Sequence, residues 1–226
     1  MSALQHVAFI MDGNYRWATN NSSNNYVEAY LKGISVAHKI VDYLLNIKHI
    51  PFVTFYALSF DNFHKRSKQK IDFIFDALDS YNNFNNIDYD GRVSYIPIGC
   101  DKIIDIFNKK SKISIFNNKN KKCELKVGVA IGYSSRVEVV SVIKNIIQEK
   151  HQDISYDTVK KYFYSSFPDP DLVIRTGGMK RMSDFLLLQS AYSELFFTDV
   201  LWPDFTVNYL DKIINDFDFI DRKYGG

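Results

Sequence analysis

The stretch His6-Val7-Ala8-Phe9-Ile10-Met11 runs straight into Asp12-Gly13-Asn14-Tyr15-Arg16-Trp17-Ala18. Five apolar residues in a row, with no polar alternation, read as a short strand buried on both faces, as parallel strands covered by helices are. The strand opens into a loop with chemistry in it. An aspartate beside an arginine in a glycine-bearing loop can hold Mg²⁺ on one oxygen while the arginine and the loop amides hold a phosphate that shares the metal. Taken by itself, Asp12 equally suits a turn or a helix cap.

Similar apolar runs recur near 51 to 58, 93 to 98, 125 to 131, 171 to 175 and 194 to 198. Helical spacing lies between them: Ala37, Ile40, Val41, Leu44 and Leu45 make one stripe, and Val139, Val142, Ile143, Ile146 and Ile147 another. Strands alternating with helices predict an α/β fold, a single domain with a mostly parallel central sheet flanked by helices, and sites at the carboxyl ends of strands. From Ile71 to Phe84 a helix is expected with two apolar faces: Ile71, Ile74, Phe75, Leu78 and Tyr81 on one, Phe73, Ala77 and Phe84 on the other. Its second face would line an apolar tunnel, meet another subunit, rest on a bilayer or be covered by a flanking segment.

A second cluster comes after the fifth apolar run, in Arg175-Thr176-Gly177-Gly178-Met179-Lys180-Arg181-Met182-Ser183. Two arginines, a serine and two glycines within nine residues have the chemistry of a diphosphate clamp. Arginine presents a rigid fork of donors to phosphate oxygens, and glycine lets backbone N–H groups approach an anion. A basic surface turn has the same composition. Paired with the Asp12 loop, however, the cluster points to a protein that handles two anionic groups.

Composition sets the outer limits. A chain of 226 residues with 46% hydrophobic residues can bury one sizeable core, and one domain over residues 1–226 accounts for it. The formal net charge of +2 carries no nucleic-acid footprint. Cys100 and Cys123 have neither disulfide nor zinc spacing, so a reducing, cytoplasmic setting is expected. No apolar run approaches a membrane span. The Lys109-Lys110-Ser111-Lys112 and Lys119–Lys122 tracts read as solvated loops, or as contacts with an anionic membrane surface.

The opening motif, His6 to Ala18, resembles that of the cis-prenyltransferases, whose bacterial members make undecaprenyl diphosphate. Asp171-Leu172-Val173-Ile174-Arg175-Thr176-Gly177-Gly178, Arg181-Met182-Ser183-Asp184-Phe185, Ala191-Tyr192-Ser193-Glu194-Leu195-Phe196-Phe197 and Leu201-Trp202-Pro203-Asp204-Phe205 resemble the family's closing block. Thr54 to Phe63, Ile98-Gly99 and Gly132-Tyr133-Ser134-Ser135-Arg136 fit between them, so the resemblance spans the chain. It implies sequential condensation of isopentenyl diphosphate onto an allylic diphosphate such as farnesyl diphosphate, with cis double bonds. The product would be a long polyprenyl diphosphate carrier for cell-envelope synthesis.

The resemblance also implies roles. Asp12 and Asn62 would be catalytic, and Asp12 and Glu194 would hold Mg²⁺. Gly13, Asn14, Tyr15, Arg16 and Trp17 would serve the allylic substrate, and Ser59, Phe63, Arg175, Arg181 and Ser183 the isopentenyl diphosphate and the reacting carbons. An apolar tunnel between sheet and helices, a homodimer and peripheral membrane contact for product release are further implications. The Asp-rich repeats of trans-prenyltransferases are absent from the sequence.

Four departures from the family pattern stand out. Thr19 to Tyr30 carries no basic residue where phosphate ligands are usual, Tyr15 replaces a glycine, Ser134-Ser135 replace a glycine pair, and Phe63 replaces a tryptophan. Any left-handed backbone needed at Tyr15 or the two serines would carry a steric cost. Beside the enzyme stands the alternative of a non-catalytic homologue that binds a diphosphate or a partner. An unrelated phosphatase or nucleotide enzyme is disfavoured, since no P-loop, G-x-G-x-x-G or G-x-S-x-G pattern occurs.

Overall fold

A computed structural model describes residues 4–21, 25–69, 71–72, 74–75, 91–110 and 123–222. Its centre is a sheet of six strands: β1 (His6–Ile10), β2 (Phe52–Ser59), β3 (Val93–Ile98), β4 (Leu125–Tyr133), β5 (Leu172–Arg175) and β6 (Glu194–Phe197). The order is β3-β4-β2-β1-β5-β6, and every pairing is parallel. Pro97 sits in β3, an edge strand, where its missing N–H costs no ladder bond on the open side. Each apolar run of the sequence became a strand within two residues of its expected ends.

Parallel neighbours need crossovers, and the sequence caps most of its helices with side chains. Asn25 accepts from Glu28 N to start α2 (Tyr26–Tyr43), which comes after the short α1 (Asn14–Asn20). Ser59 starts α3 (Phe60–Lys65), and α4 spans Asp101–Lys110. Ser134 starts α5 (Ser135–Gln148), Ser155 starts α6 (Tyr156–Lys160), and Thr206 starts α7 (Val207–Asp218). Such caps satisfy one of the orphan N–H groups of the first turn, at about 1 kcal/mol each.

Strand β1 shows why the sheet is buried on both faces. Val7 and Phe9 point into one cluster with Ile40 and Leu44 on the α2 side and Leu210 and Ile213 of α7. Ala8 and Ile10 point the other way, against Val173, Tyr133 and Phe185. A third cluster, with Leu58, Ile71, Ile74, Phe75 and Phe107, covers the carboxyl-terminal half of β2 and β4. Phe73, Ala77, Leu78, Tyr81 and Phe84 lie outside the described residues, so the second apolar face expected there is not placed. The same holds for residues 111–122 with their lysine tracts.

Strand β1 lies between β2, reached through α1 and α2, and β5, reached from β4 through α5 and α6. The connections part on either side of the β1/β5 seam. In open parallel sheets that arrangement leaves a crevice at the carboxyl ends of the two strands, the usual place for a ligand. Both anion clusters of the sequence, after Ile10 and from Arg175 on, fall there.

Candidate active site

Asp12 is the hub of the crevice. Its Oδ1 accepts from Arg16 Nη2 at 3.1 Å and its Oδ2 from Arg175 Nη2 at 2.9 Å. Its backbone is held as firmly, for its carbonyl accepts from Thr176 Oγ1 at 2.8 Å and from Trp202 N at 3.0 Å. Gly13 has φ 118° and turns the chain into α1. Gly177, with φ 82°, lies so close that a Cβ would sit 2.5 Å from Arg16 Nη2 and 2.9 Å from the Asp12 carbonyl. A side chain at either position would be strained by the backbone angle alone.

Arg175 ends β5 with only 4% of its surface exposed. Its Nη1 donates to Ser183 Oγ at 2.7 Å and to the Arg181 carbonyl, and its Nε is buried without a protein acceptor. A buried guanidinium N–H without an acceptor is costly, and an anion in the crevice would supply one. Arg181 is exposed, with a 3.6 Å contact to Met179 Sδ and no carboxylate partner among the described residues. Arg16, too, is partly exposed beside its ion pair. The glycines depart from expectation: Gly177 N donates to the Val200 carbonyl and Gly178 N to the Thr198 carbonyl, both at 2.8 Å. They serve through shape and close approach, and their amides are not free for a phosphate.

The loop after Arg181 is held in an uncommon backbone. Ser183, Asp184 and Leu186 all have positive φ, of 50°, 64° and 45°. Three left-handed non-glycine residues so close together persist only when neighbours over-determine them. The neighbours come from the end of β4: Ser134 Oγ donates to Asp184 Oδ2, Ser135 N to the Asp184 carbonyl at 2.9 Å, and Leu187 N to Ser135 Oγ at 2.9 Å. Tyr56 OH adds a 3.3 Å bond to the Ser183 carbonyl. Ser134 and Ser135, with no positive φ, therefore carry no strain and tie down the arginine loop. Tyr15 has no positive φ either; it is exposed and stacks on Tyr26 with ring centroids 5.0 Å apart.

The other expected site residues fall at several levels of the crevice. Asn14 stands directly after Gly13; its Nδ2 donates to the Met11 carbonyl at 3.3 Å, and its Oδ1 is buried without a donor. Ser59 acts as a cap, accepting from Asn62 N at 3.0 Å, and brings both residues to the same edge, where Ser59 pairs in register with Tyr133. Phe63 packs with the Leu58 and Ile71 cluster. Trp17 is buried, and its indole N–H donates to Asp204 Oδ1 at 2.9 Å, so it braces α1. Glu194 opens β6 opposite Leu172, three residues before the partner of Arg175, and so lies about 10 Å down the strand from the crevice at about 3.3 Å per residue.

Thr176, Asp184 and Tyr56 were missed by the sequence reading, although all three lie inside the family-like motifs. Each is recognisable only by its partner: a threonine beside a carbonyl, or an aspartate beside a serine 50 positions away. Below the crevice, between the sheet and α2, lies a cavity of about 130 Å³ with mostly apolar walls. Asn14, Tyr30 and Gly33 stand at its upper end, and Phe55, Val127 and Val129 line its sheet side. An anion site and an apolar cavity thus meet at Asn14, two residues from Asp12.

An anion-holding crevice above an apolar cavity, on an all-parallel sheet, defines a protein for molecules with a charged head and a hydrocarbon tail. Residues 10–225 match the family described as "Putative undecaprenyl diphosphate synthase". An isoprenyl transferase of Fusobacterium nucleatum is 34% identical over 98% of this chain and 96% of its own. A tritrans,polycis-undecaprenyl-diphosphate synthase (geranylgeranyl-diphosphate specific) of Thermoplasma acidophilum is also 34% identical, over 98% of this chain and 88% of its own. Among solved structures, a probable undecaprenyl diphosphate synthase of Campylobacter jejuni superposes with TM-score 0.75 at 28% identity, covering all of both chains. Lavandulyl diphosphate synthase from Lavandula x intermedia superposes with TM-score 0.88 at 23% identity over 99% of each chain, a likeness of fold. The chain belongs to the undecaprenyl diphosphate synthase family and is an enzyme of the cis-prenyltransferase class.

Proposed function

We propose that the protein condenses isopentenyl diphosphate repeatedly onto an allylic diphosphate, farnesyl diphosphate in the first instance. Each step adds five carbons with a cis double bond, giving a long polyprenyl diphosphate that serves as a lipid carrier in cell-envelope synthesis. The observation that carries this reading is the junction at Asn14 of the Asp12, Arg16 and Arg175 cluster with the apolar cavity. A diphosphate head and a prenyl tail need both environments on one line.

In each cycle the allylic C1–O bond breaks and its electron pair leaves with the diphosphate. The alkene of isopentenyl diphosphate forms the new carbon–carbon bond, and a proton is lost from it. Charge growing on the departing group calls for fixed donors that are in place beforehand, and Arg16 with the first amides of α1 supplies them. Arg175, through its unsatisfied Nε, and the exposed Arg181 and Ser183 hold the second diphosphate in position, which is a demand for orientation. Ser59 and Asn62 stand at the edge where the proton is released.

Mg²⁺ fits this site on the chemistry of its donors. Among the described residues no three His, Cys, Asp or Glu side chains converge, so Asp12 would be joined by phosphate oxygens and water, the ligand set Mg²⁺ favours. When bound, the ion neutralises charge on the diphosphates. One domain over residues 1–226 carries the whole reaction. A homodimer is supported by the exposed apolar face of α5, where Val140, Ile143 and Ile147 lie open. No helix among the described residues is long and apolar enough to cross a membrane. We place the enzyme in the cytoplasm, at the membrane face when product leaves. Incubation with both diphosphates and Mg²⁺, and then chain-length analysis of the extract, tests the reading.

A further inference from the structure

Ser183 Oγ accepts from Arg175 Nη1 at 2.7 Å, so its own hydrogen is left for an acceptor in the crevice. That direction depends on the backbone at φ 50°, because a residue moved out of the left-handed region swings its Cα–Cβ bond and takes the hydroxyl off Arg175. Arg181 is set by the same turn, its carbonyl accepting from Arg175 Nη1. Left-handed backbone is unfavourable for any residue with a side chain, and Asp184 follows at φ 64°. Something outside the loop must hold it.

The hold comes from the end of β4. Ser134 Oγ accepts from Val137 N at 3.2 Å, which caps α5, and donates to Asp184 Oδ2. Among the described residues Asp184 Oδ1 has no hydrogen-bond donor; Arg136 Nε, on an exposed side chain, stands 3.9 Å away and adds little. The grip of the carboxylate therefore runs through Ser134. Ser135 gives its N–H to the Asp184 carbonyl and takes the Leu187 N–H on its Oγ, both at 2.9 Å. A glycine pair at 134 and 135, the usual family pattern, offers neither hydroxyl. Just beyond, Phe185 is fully buried and stacks on Tyr56 at 4.4 Å, so the loop stays anchored there when the serine contacts are cut.

We propose that Ser134, Ser135 and Asp184 are positioning residues for isopentenyl diphosphate, fixing Ser183 and Arg181 without touching the substrate. This rests on the prenyl-transfer reading and sharpens it. The allylic diphosphate draws on Arg16 and the Asp12 loop, which make none of these contacts, so the two substrates should respond differently.

The test measures initial rates of the full chain with Mg²⁺, farnesyl diphosphate and labelled isopentenyl diphosphate, each diphosphate varied in turn. Asp184→Ala, and separately Ser134→Gly with Ser135→Gly, are expected to raise KM for isopentenyl diphosphate about tenfold or more while KM for farnesyl diphosphate stays within about threefold, since small misplacements of a positioning group are costly. Asp184→Asn keeps an oxygen for Ser134 and tolerates left-handed backbone, so it is expected to behave as wild type. Circular dichroism confirms that each variant is folded. In folded variants of an active enzyme, equal changes in both KM values, no change in either, or an Asp184→Asn variant as impaired as Asp184→Ala overturns the positioning role alone. Absence of any elongated product from the wild type overturns the prenyl-transfer reading and this inference with it.

Discussion

Two polar clusters are built into the same sheet, and they use their hydrogen bonds differently. Around Glu138, buried at 2% exposure, Tyr133 OH donates at 2.6 Å, Tyr164 N at 2.8 Å and Gln189 Nε2 at 2.9 Å. Three donors meet one carboxylate, and no cation is among them. Around Arg175, by contrast, the guanidinium keeps a buried Nε without an acceptor, and Arg181 and Arg16 reach toward solvent beside it. The first cluster meets the charge of its carboxylate with neutral donors, and its one orphan among the described residues is the neutral Gln189 Oε1. The second is short of negative charge, and a site that awaits an anion is expected to look that way.

Variants that cut each cluster separately test the contrast. Asp12→Ala removes the carboxylate that bridges Arg16 and Arg175, and should lower kcat/KM about 1000-fold, the order seen when a pre-set electrostatic group is lost. Because it also strands Nη2 of the buried Arg175, the Tm of that variant should fall by about 5 °C. Glu138→Ala should cost more stability and far less rate. It strands one buried and two partly buried donors at about 1 kcal/mol each, and at about 3 °C per kcal/mol for a chain of this size the Tm should fall by about 10 °C. Steady-state rates of its folded fraction should stay within about tenfold of wild type.

Acid should expose a further difference. His6 is 2% exposed, with Nδ1 2.7 Å from the Pro168 carbonyl and Nε2 2.8 Å from Thr54 Oγ1, and burial lowers its pKa to about 4. A group whose folded pKa is depressed contributes stability that is complete above the unfolded value, near 6.5, and lost as pH falls toward 4. His38 acts in the same sense. Urea titrations from pH 7 to 4 should lose up to about 1.4 kcal/mol per pH unit for each histidine, and His6→Gln should flatten the profile. The smallest effect is expected from Tyr15→Ala, which forfeits the exposed ring stack and hydroxyl contact with Tyr26, about 1 kcal/mol by calorimetry.

Much of this could be read in the sequence, because buried parallel strands are written as apolar runs and their ends carry the chemistry. Strand β1 and the Asp12 loop were legible for that reason, as was Arg175 at the end of β5. The Gly177 and Gly178 amides were not, since their acceptors, Val200 and Thr198, belong to a segment twenty or more residues on. The bond from Trp17 to Asp204 was not legible, because a motif position does not say which way a ring points. The position of Glu194 was legible, since a residue that opens a strand of a parallel sheet lies at the end opposite the strand ends that carry the sites.

The central claim is that the Asp12 and Arg175 crevice and the cavity beneath it perform prenyl transfer. It is met most directly by incubating the purified chain with farnesyl diphosphate, radiolabelled isopentenyl diphosphate and Mg²⁺, and resolving the extracted products by length. The account predicts cis-polyprenyl diphosphate that disappears with EDTA and in Asp12→Ala. A folded chain that binds either diphosphate yet extends neither would contradict it and leave a diphosphate-binding subunit, with the absence of basic residues from Thr19 to Tyr30 as the physical cause.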